Sequence, residues 1–360
     1  MFGVWSGNRT VTHESRLNLS QTLIPGLVAF GADASAKDAA GRTAEDWTTL
    51  RGTQASHTEL HPSPLLTTGI KAIDLFAPIL RGSRVRVPFR AGVGMVVLLG
   101  ELCDRFTRAG SAVIWTGFAQ TPFDRGDLLA GLRELGLHER VITSLANADT
   151  GAESRRAAFE QGLAHAENLC TLEARDVVLI VQSEEGFEAD VDASHARVAR
   201  ACARAEGHGS ITAIYITPFA AGSEAGAAAA WEAPRPPYDA QWVLDRRRAK
   251  QHLFPAIDPE WSHSGALQLV SERHQALAKH AAAKLACLAA DHPDFDLNAA
   301  AQTHPEAARL ARYLTQPFAT AEPFTGLLAQ AASLALTLER VEDLLAGEPL
   351  RPEEQGLSIP

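Results

Sequence analysis

The sequence predicts an α/β protein: a parallel sheet with helices on both faces, followed by a carboxyl-terminal helical domain. Three observations carry this. From about residue 80, short β-branched runs alternate with longer amphipathic stretches, the pattern of strands joined by crossover helices. The strand runs are almost continuously apolar, as in strands covered on both sides. After residue 265 that alternation gives way to alanine-rich segments of helical period.

Residues 1–60 are polar and weakly periodic, and "GADASAKDAAGRTAEDW" reads as loop and short helix. Strands are expected at "RVRVPF" (84–89), "SAVIWTG" (111–117), "RVITSL" (140–145), "DVVLIVQ" (176–182) and "SITAIYI" (210–216). Helices are expected between them, near 94–108, 126–137, 151–171 and 188–205. In such sheets a ligand sits beyond the carboxyl ends of the strands. The small-residue and proline-rich stretch 218–239 reads as an irregular loop. "SERHQALAKHAAAKLACLAA", "PEAARLARYL" and "TGLLAQAASLALTLERVEDLLAG" (325–347) are expected to be helical. The chain thus divides into a short segment (1–60), a sheet domain (61–265) and a helical domain (266–360).

Thirty-three basic against forty-three acidic residues give a net charge of −10. That balance opposes a broad nucleic-acid or anionic-membrane surface, since both need clustered positive charge. No run approaches the roughly 18 apolar residues of a membrane span. The start, "MFGVWSGNRTVTHES", lacks the basic and apolar regions of a signal peptide. With four scattered cysteines (Cys103, Cys170, Cys202, Cys287) it reads as a cytoplasmic chain with reduced thiols. The sequons at Asn8 and Asn18 are then accidental.

"RAGVGMVV" (90–97) has the rhythm of a phosphate-binding loop, with Gly92, Val93 and Gly94 between a strand and a helix. Such loops wrap phosphates in backbone N–H groups, reach them with a lysine and hold Mg²⁺ with a hydroxyl. Here Phe89 stands at the first glycine, Met95 at the lysine and Val96 at the hydroxyl. Taken alone, the loop is matched as well by an ordinary strand-to-helix turn. Other motifs fail. His195 and His208 lack metal-ligand spacing with each other or Cys202, and no metal site is expected. "GSEAG" (222–226) is preceded by Ala221 and is no nucleophile elbow. The glycine pair lacks the third glycine of a dinucleotide fingerprint.

The loop's surroundings are more specific. "PLLTTGIKAIDLFAPILRGSRVRVPFRAGVGMVVLLGEL" (64–102) closely resembles the entry to the nucleotide-binding domain of the rotary ATP synthase beta subunit. "GSITAIYITP" (209–218), "YDAQWVLDR" (238–246), "LFPAIDPEWSHS" (253–264) and "RYLTQPFATAEPFTG" (312–326) with "LLAGE" (344–348) resemble that family in the same order. The resemblance implies a RecA-like P-loop NTPase fold, and a beta-like rather than alpha-like chain.

The departures are as informative. Where the family has its activating glutamate and the following arginine, this chain has Ala119 and Gln120. Where it has the aspartate of the magnesium shell, Gln182 stands. Neither alanine nor glutamine can act as a carboxylate base, and glutamine is a neutral, poorer magnesium partner. With Met95 and Val96, that removes five charged or polar groups from one site, so both Walker motifs read as lost. What survives is apolar: Phe254, Phe318 and Phe324, with Ala321 between the last two, stand where the family sandwiches adenine. Each stacking contact is worth roughly 1–3 kcal/mol by analogy with nucleic-acid sites. The plainer reading makes these residues core between two domains. Glu184 and Glu185 read as a solvated strand end, and Arg155, at a family arginine position, as an ion pair.

Residues 1–60 are also too short and polar for the family's amino-terminal β-barrel. "ADHPDFDLNAA" (290–300) replaces the acidic rotor-contact turn, the proline-rich loop lacks its aspartates, and the Gln182–Gly209 stretch is short. The expectation is a catalytically inactive beta-like protein, a structural or regulatory partner of an ATP synthase alpha-like subunit or of itself, peripheral to a membrane complex. Two alternatives stay open: an ATP-binding subunit completed by a neighbour, and a sensor holding ATP or ADP without Mg²⁺ or turnover. The transcription terminator Rho, similar in its core, is disfavoured by the charge.

Overall fold

The computed structural model describes residues 65–89, 92–118, 125–146, 152–182, 198, 201, 208–218 and 238–355. Strands β1 (Leu65–Leu66) and β2 (Ile79–Leu80) form a small antiparallel pair around helix α1 (Lys71–Phe76). The main sheet holds β3 (Arg84–Phe89), β4 (Ala112–Phe118), β5 (Val141–Ala146), β6 (Val177–Gln182), β7 (Ile211–Pro218), β8 (Ala240–Gln241) and β9 (His263–Ser264). Their order is β5-β4-β6-β7-β3-β8-β9, all parallel except β9 at the edge. Every residue of β6 is buried, which explains its unbroken apolar run.

The helices joining the strands are α2 (Met95–Arg108), α3 (Arg125–Glu134) and α4 (Ala152–Leu172). Alternation along β4 sorts the two faces. Ala112 and Ile114 pack with Phe159, Leu163 and Ala166 of α4. Val113 and Trp115 share the opposite core with Leu98, Leu99, Leu102 and Phe106 of α2. Thus three of the four expected helices are present, on both faces; the one expected near 188–205 lies outside the described residues but for Val198 and Ala201.

Beyond β8 lie α5 (Arg246–Lys250), a 3₁₀ turn (Gly265–Gln268), α6 (Glu272–Asp291), α7 (Leu297–Thr303), α8 (Pro305–Leu314), α9 (Glu322–Thr325), α10 (Leu334–Leu345) and α11 (Pro352–Gln355). Ser271, Asp296 and Ser333 cap α6, α7 and α10 by accepting backbone N–H bonds. The inner faces of α6, α8 and α10, with Leu285, Leu310 and Val341, belong to the same core as the α2 face of the sheet.

Helix α1 is the joint between sheet and helices. All six of its residues are buried. The Asp74 carboxylate accepts from Thr68 N–H and Oγ1 and from Gly69 N–H, each at 2.8 Å. Lys71 Nζ donates to the Tyr313 carbonyl at 2.8 Å, and the Trp242 indole N–H donates to the Ala77 carbonyl at 3.0 Å.

One expectation is corrected. The stretch 325–347 is not one helical segment: Gly326 ends α9 in the left-handed region at φ 67°, and α10 begins only at Leu334. Between them the backbone is claimed by tertiary partners. The Gln330 N–H donates to the Pro317 carbonyl at 3.2 Å. The Gln330 carbonyl accepts from Arg105 at 2.9 Å and from the Gln316 amide. These long-range bonds outweigh the helix propensity of an alanine-rich sequence. Arg105 also pairs with the buried Glu101 at 2.7 Å. Replacing it by alanine strands that carboxylate, so Arg105→Ala is expected to cost about 3 kcal/mol in urea unfolding.

Candidate functional site

The loop after β3 delivers two glycines to the head of α2. Gly92 and Gly94 have φ of 82° and 77°, a region costly to residues with a Cβ. At Gly94 there is a second reason: a Cβ there would lie 2.9 Å from Cε1 of Phe254. The Phe254 ring therefore rests directly against the loop. No side chain caps the first turn of α2.

The two residues that follow go opposite ways. Met95 is buried at 4% exposure and belongs to the main core, whereas Val96 is 46% exposed. At the carboxyl end of β6, Gln182 is buried and its Oε1 accepts from the Trp115 indole N–H at 3.2 Å. Gly117 allows the close approach of β4 here, since a Cβ on it would sit 2.2 Å from the Gln182 carbonyl oxygen. None of Met95, Val96 and Gln182 carries a charge.

Beside the loop is a cavity of about 410 Å³. Its walls are Val93, Gly94, Val97 and Leu98 from the loop and α2, Phe254, Pro255 and Ala256 from the following turn, and residues between Thr315 and Leu327. Five residues singled out by sequence, Val93, Gly94, Phe254, Phe318 and Ala321, meet on this cavity. Gly92 is exposed and not in the wall, and Phe324 lies in α9 with its side chain outside the described residues.

The turn bearing Phe254 is firmly held. The Phe254 carbonyl accepts from Gln316 N–H at 2.8 Å, and the Ala256 carbonyl from Asp245 N–H at 2.8 Å. Beneath it, Arg248 stacks 4.4 Å from the Phe295 ring centroid. Burial raises the Asp258 carboxyl above its ordinary range, with Arg248 opposing.

Sequence reading missed Val97, Leu98, Leu244, His252 and Leu327 in this wall. Thr315, Gln316 and Pro317 lay inside a quoted segment, so chain proximity to Phe318 could have found them. Leu327 was hidden by the expected helix. Ala119, Gln120, Glu184, Glu185, His195 and Cys202 lie outside the described residues, as does the Arg155 side chain; His208 is exposed. Among the described residues no group of three His, Cys, Asp or Glu is placed to hold a metal ion. No helix among them is long and apolar enough to cross a membrane.

The glutamine–indole bond is testable. Gln182→Leu leaves the buried Trp115 N–H without its acceptor and is expected to cost about 1–3 kcal/mol, read by denaturant unfolding.

Comparison with known proteins places the architecture. Residues 69–184 and 181–264 match the ATP synthase alpha/beta family, nucleotide-binding domain. ATP synthase subunit beta of Acaryochloris marina is 28% identical over 336 residues, 84% of this chain and 72% of that protein. ATP synthase subunit beta 2 of Nitrosospira multiformis is 28% identical over 327 residues, 82% and 68% of the two chains. Among solved structures, the unique ATP synthase subunit NeqB from Nanoarcheaum equitans superposes with a TM-score of 0.61 at 16% identity, over 81% of this chain and 78% of that one. A prototypical ATPase from the type III secretion system of pathogenic bacteria gives 0.57 at 19%, over 81% and 89%. These structural likenesses establish the RecA-like α/β fold. With the family match spanning more than half of its length, this chain belongs to the ATP synthase alpha/beta family.

Proposed function

We propose that this chain is a beta-like member of its family that does not hydrolyse ATP and serves as a structural or regulatory subunit of an ATP synthase-like complex. The observation that carries this is the fate of the position where the family has its phosphate-binding lysine: Met95 is part of the hydrophobic core. The magnesium-shell position supports the same reading, because Gln182 is committed to Trp115. A Mg²⁺–triphosphate brings concentrated negative charge that catalysis must neutralise. The described residues at this end of the sheet do not fit that group.

The partner we infer is an alpha-like subunit or a second copy, with the complex peripheral to a membrane. Completion of the site by a neighbour is the weaker reading, because the loop lysine and magnesium hydroxyl belong to the same chain as the loop. The aromatic wall favours one second reading, a sensor that holds ATP or ADP without Mg²⁺. Phe254 and Phe318 line one cavity beside the loop.

Phosphate release from Mg²⁺–ATP is the direct test. The purified chain, alone or with an alpha-like subunit, is expected to give no turnover above the blank. Hydrolysis at ordinary rates that is abolished by changing Gln182 or Arg155 defeats the proposal. Met95→Lys with Val96→Thr is expected to restore no turnover, because Ala119, Gln120 and Gln182 still lack the required groups. Affinity purification at native level is expected to recover an alpha-like subunit.

A further inference from the structure

We propose that the cavity beside the loop is a binding site for a neutral, largely apolar aromatic molecule rather than for a nucleotide. This deepens the functional reading above and rests on it, since it requires that no triphosphate holds the loop.

The volume of about 410 Å³ falls within the roughly 300–1,000 Å³ of small-molecule sites. The chemistry of the wall decides the class of ligand. Phe254, Phe318 and Leu244 offer ring and aliphatic surface, and Ala321 leaves room beside them. Among the described residues no Lys, Arg, Asp or Glu lines it. The amide and hydroxyl side chains of Gln316, Thr315 and Thr325 in the wall are committed elsewhere. Gln316 Oε1 accepts from Lys71 N–H at 3.0 Å, and its Nε2 donates to the Gly69 carbonyl at 2.9 Å and to that of Gln330. Thr315 Oγ1 donates to the Ala311 carbonyl at 3.1 Å. Thr325 Oγ1 donates to the Ala321 carbonyl at 3.0 Å and accepts from Leu327 N–H at 3.3 Å.

Three backbone carbonyls in the wall are spent in the same way. The Phe254, Pro317 and Gly94 carbonyls accept from Gln316, Gln330 and Leu98. Among the described residues of the wall, His252, which is exposed, is the one titratable side chain. A ligand rich in charge or hydrogen-bonding groups would lose its water here and gain few partners. A neutral ring loses little and gains two aromatic faces. The uncapped head of α2 is the competing attraction, for an anion, and the test must separate the two.

N-phenyl-1-naphthylamine, a neutral aromatic dye, is titrated into the full purified chain and followed by its fluorescence. Saturable binding at one site is expected. Ala321→Phe, which fills the cavity, is expected to weaken it by at least about tenfold. Val97→Lys, at a partly exposed wall position, is expected to weaken it as well, with thermal unfolding showing both variants folded. ATP and inorganic phosphate are expected not to displace the dye, whereas a neutral aromatic competitor displaces it. Binding that does not saturate, binding that ignores both substitutions, or displacement by ATP or phosphate overturns the proposal. Phosphate release, measured separately, separates the two readings: turnover sinks both. No turnover with no dye binding sinks only this one.

Discussion

The structure depends on one ion pair buried under the carboxyl-terminal segment. Glu101 and Arg105 sit one turn apart on α2, at 1% and 11% side-chain exposure, joined at 2.7 Å. Each reaches a different part of the chain. Arg105 donates to the carbonyls of Gly69 and Gln330, and the other oxygen of Glu101 accepts from Thr320 N–H at 3.2 Å. The helix that begins at the loop therefore also holds the approach to α1 and the two stretches flanking α9. Without that pair, the stretches at Thr320 and Gln330 lose their ties to the charged side chains of α2, and this wall of the cavity is held less firmly. A buried pair seldom adds net stability over apolar packing. Its contribution here is to select one arrangement of segments far apart in sequence.

The joint at α1 follows the same logic. Burial pushes the Asp74 carboxyl up to about 6, although its three bonds from Thr68 and Gly69 oppose the shift. Burial also brings the Lys71 ammonium down to about 8, with Glu354 pulling the other way. Both groups are costly where they lie. Each is retained with hydrogen-bond partners, and those partners come from the β1–α1 approach and from α8. Apolar area alone would let the helical layer slide over the sheet. Directional bonds to buried charges fix where it stops, and so fix the distance between Phe254 and the residues after α8.

Legibility in the sequence tracked how local each cause was. Strand runs follow from side-chain chemistry within a few residues, so the run read at 140–145 emerges as Val141–Ala146 and that at 84–89 unchanged. The glycines of the loop and the residues Phe254, Phe318 and Ala321 were legible because the motifs around them are specific. The non-helical stretch from Leu327 to Ser333 was not, since its partners are Gly69, Arg105 and Pro317, and no periodicity encodes them. Nor was the glutamine–indole bond. Trp115 read only as part of a strand run and Gln182 as a lost aspartate, and only the β4–β6 register, with Trp115 opposite Ile180, brings the indole within reach of Gln182.

That bond changes how the departures from the family relate to one another. Gln182 accepts from a buried indole, and Met95 fills core volume that a charged side chain could not occupy without its solvation. Substitutions that merely erased function would leave holes or orphaned polar groups at these positions. The aromatic wall needs separate treatment. Phe318 is buried and Phe254 packs on the main core, so folding alone is enough to keep both rings in place. Their persistence is therefore no sign of adenine. The open volume between them is a different matter, because a core free of ligand gains by closing such a space. The cavity of about 410 Å³ has Gln316, Thr315 and Thr325 at its edge, each already hydrogen-bonded, so the proposed occupant must be held by apolar contact.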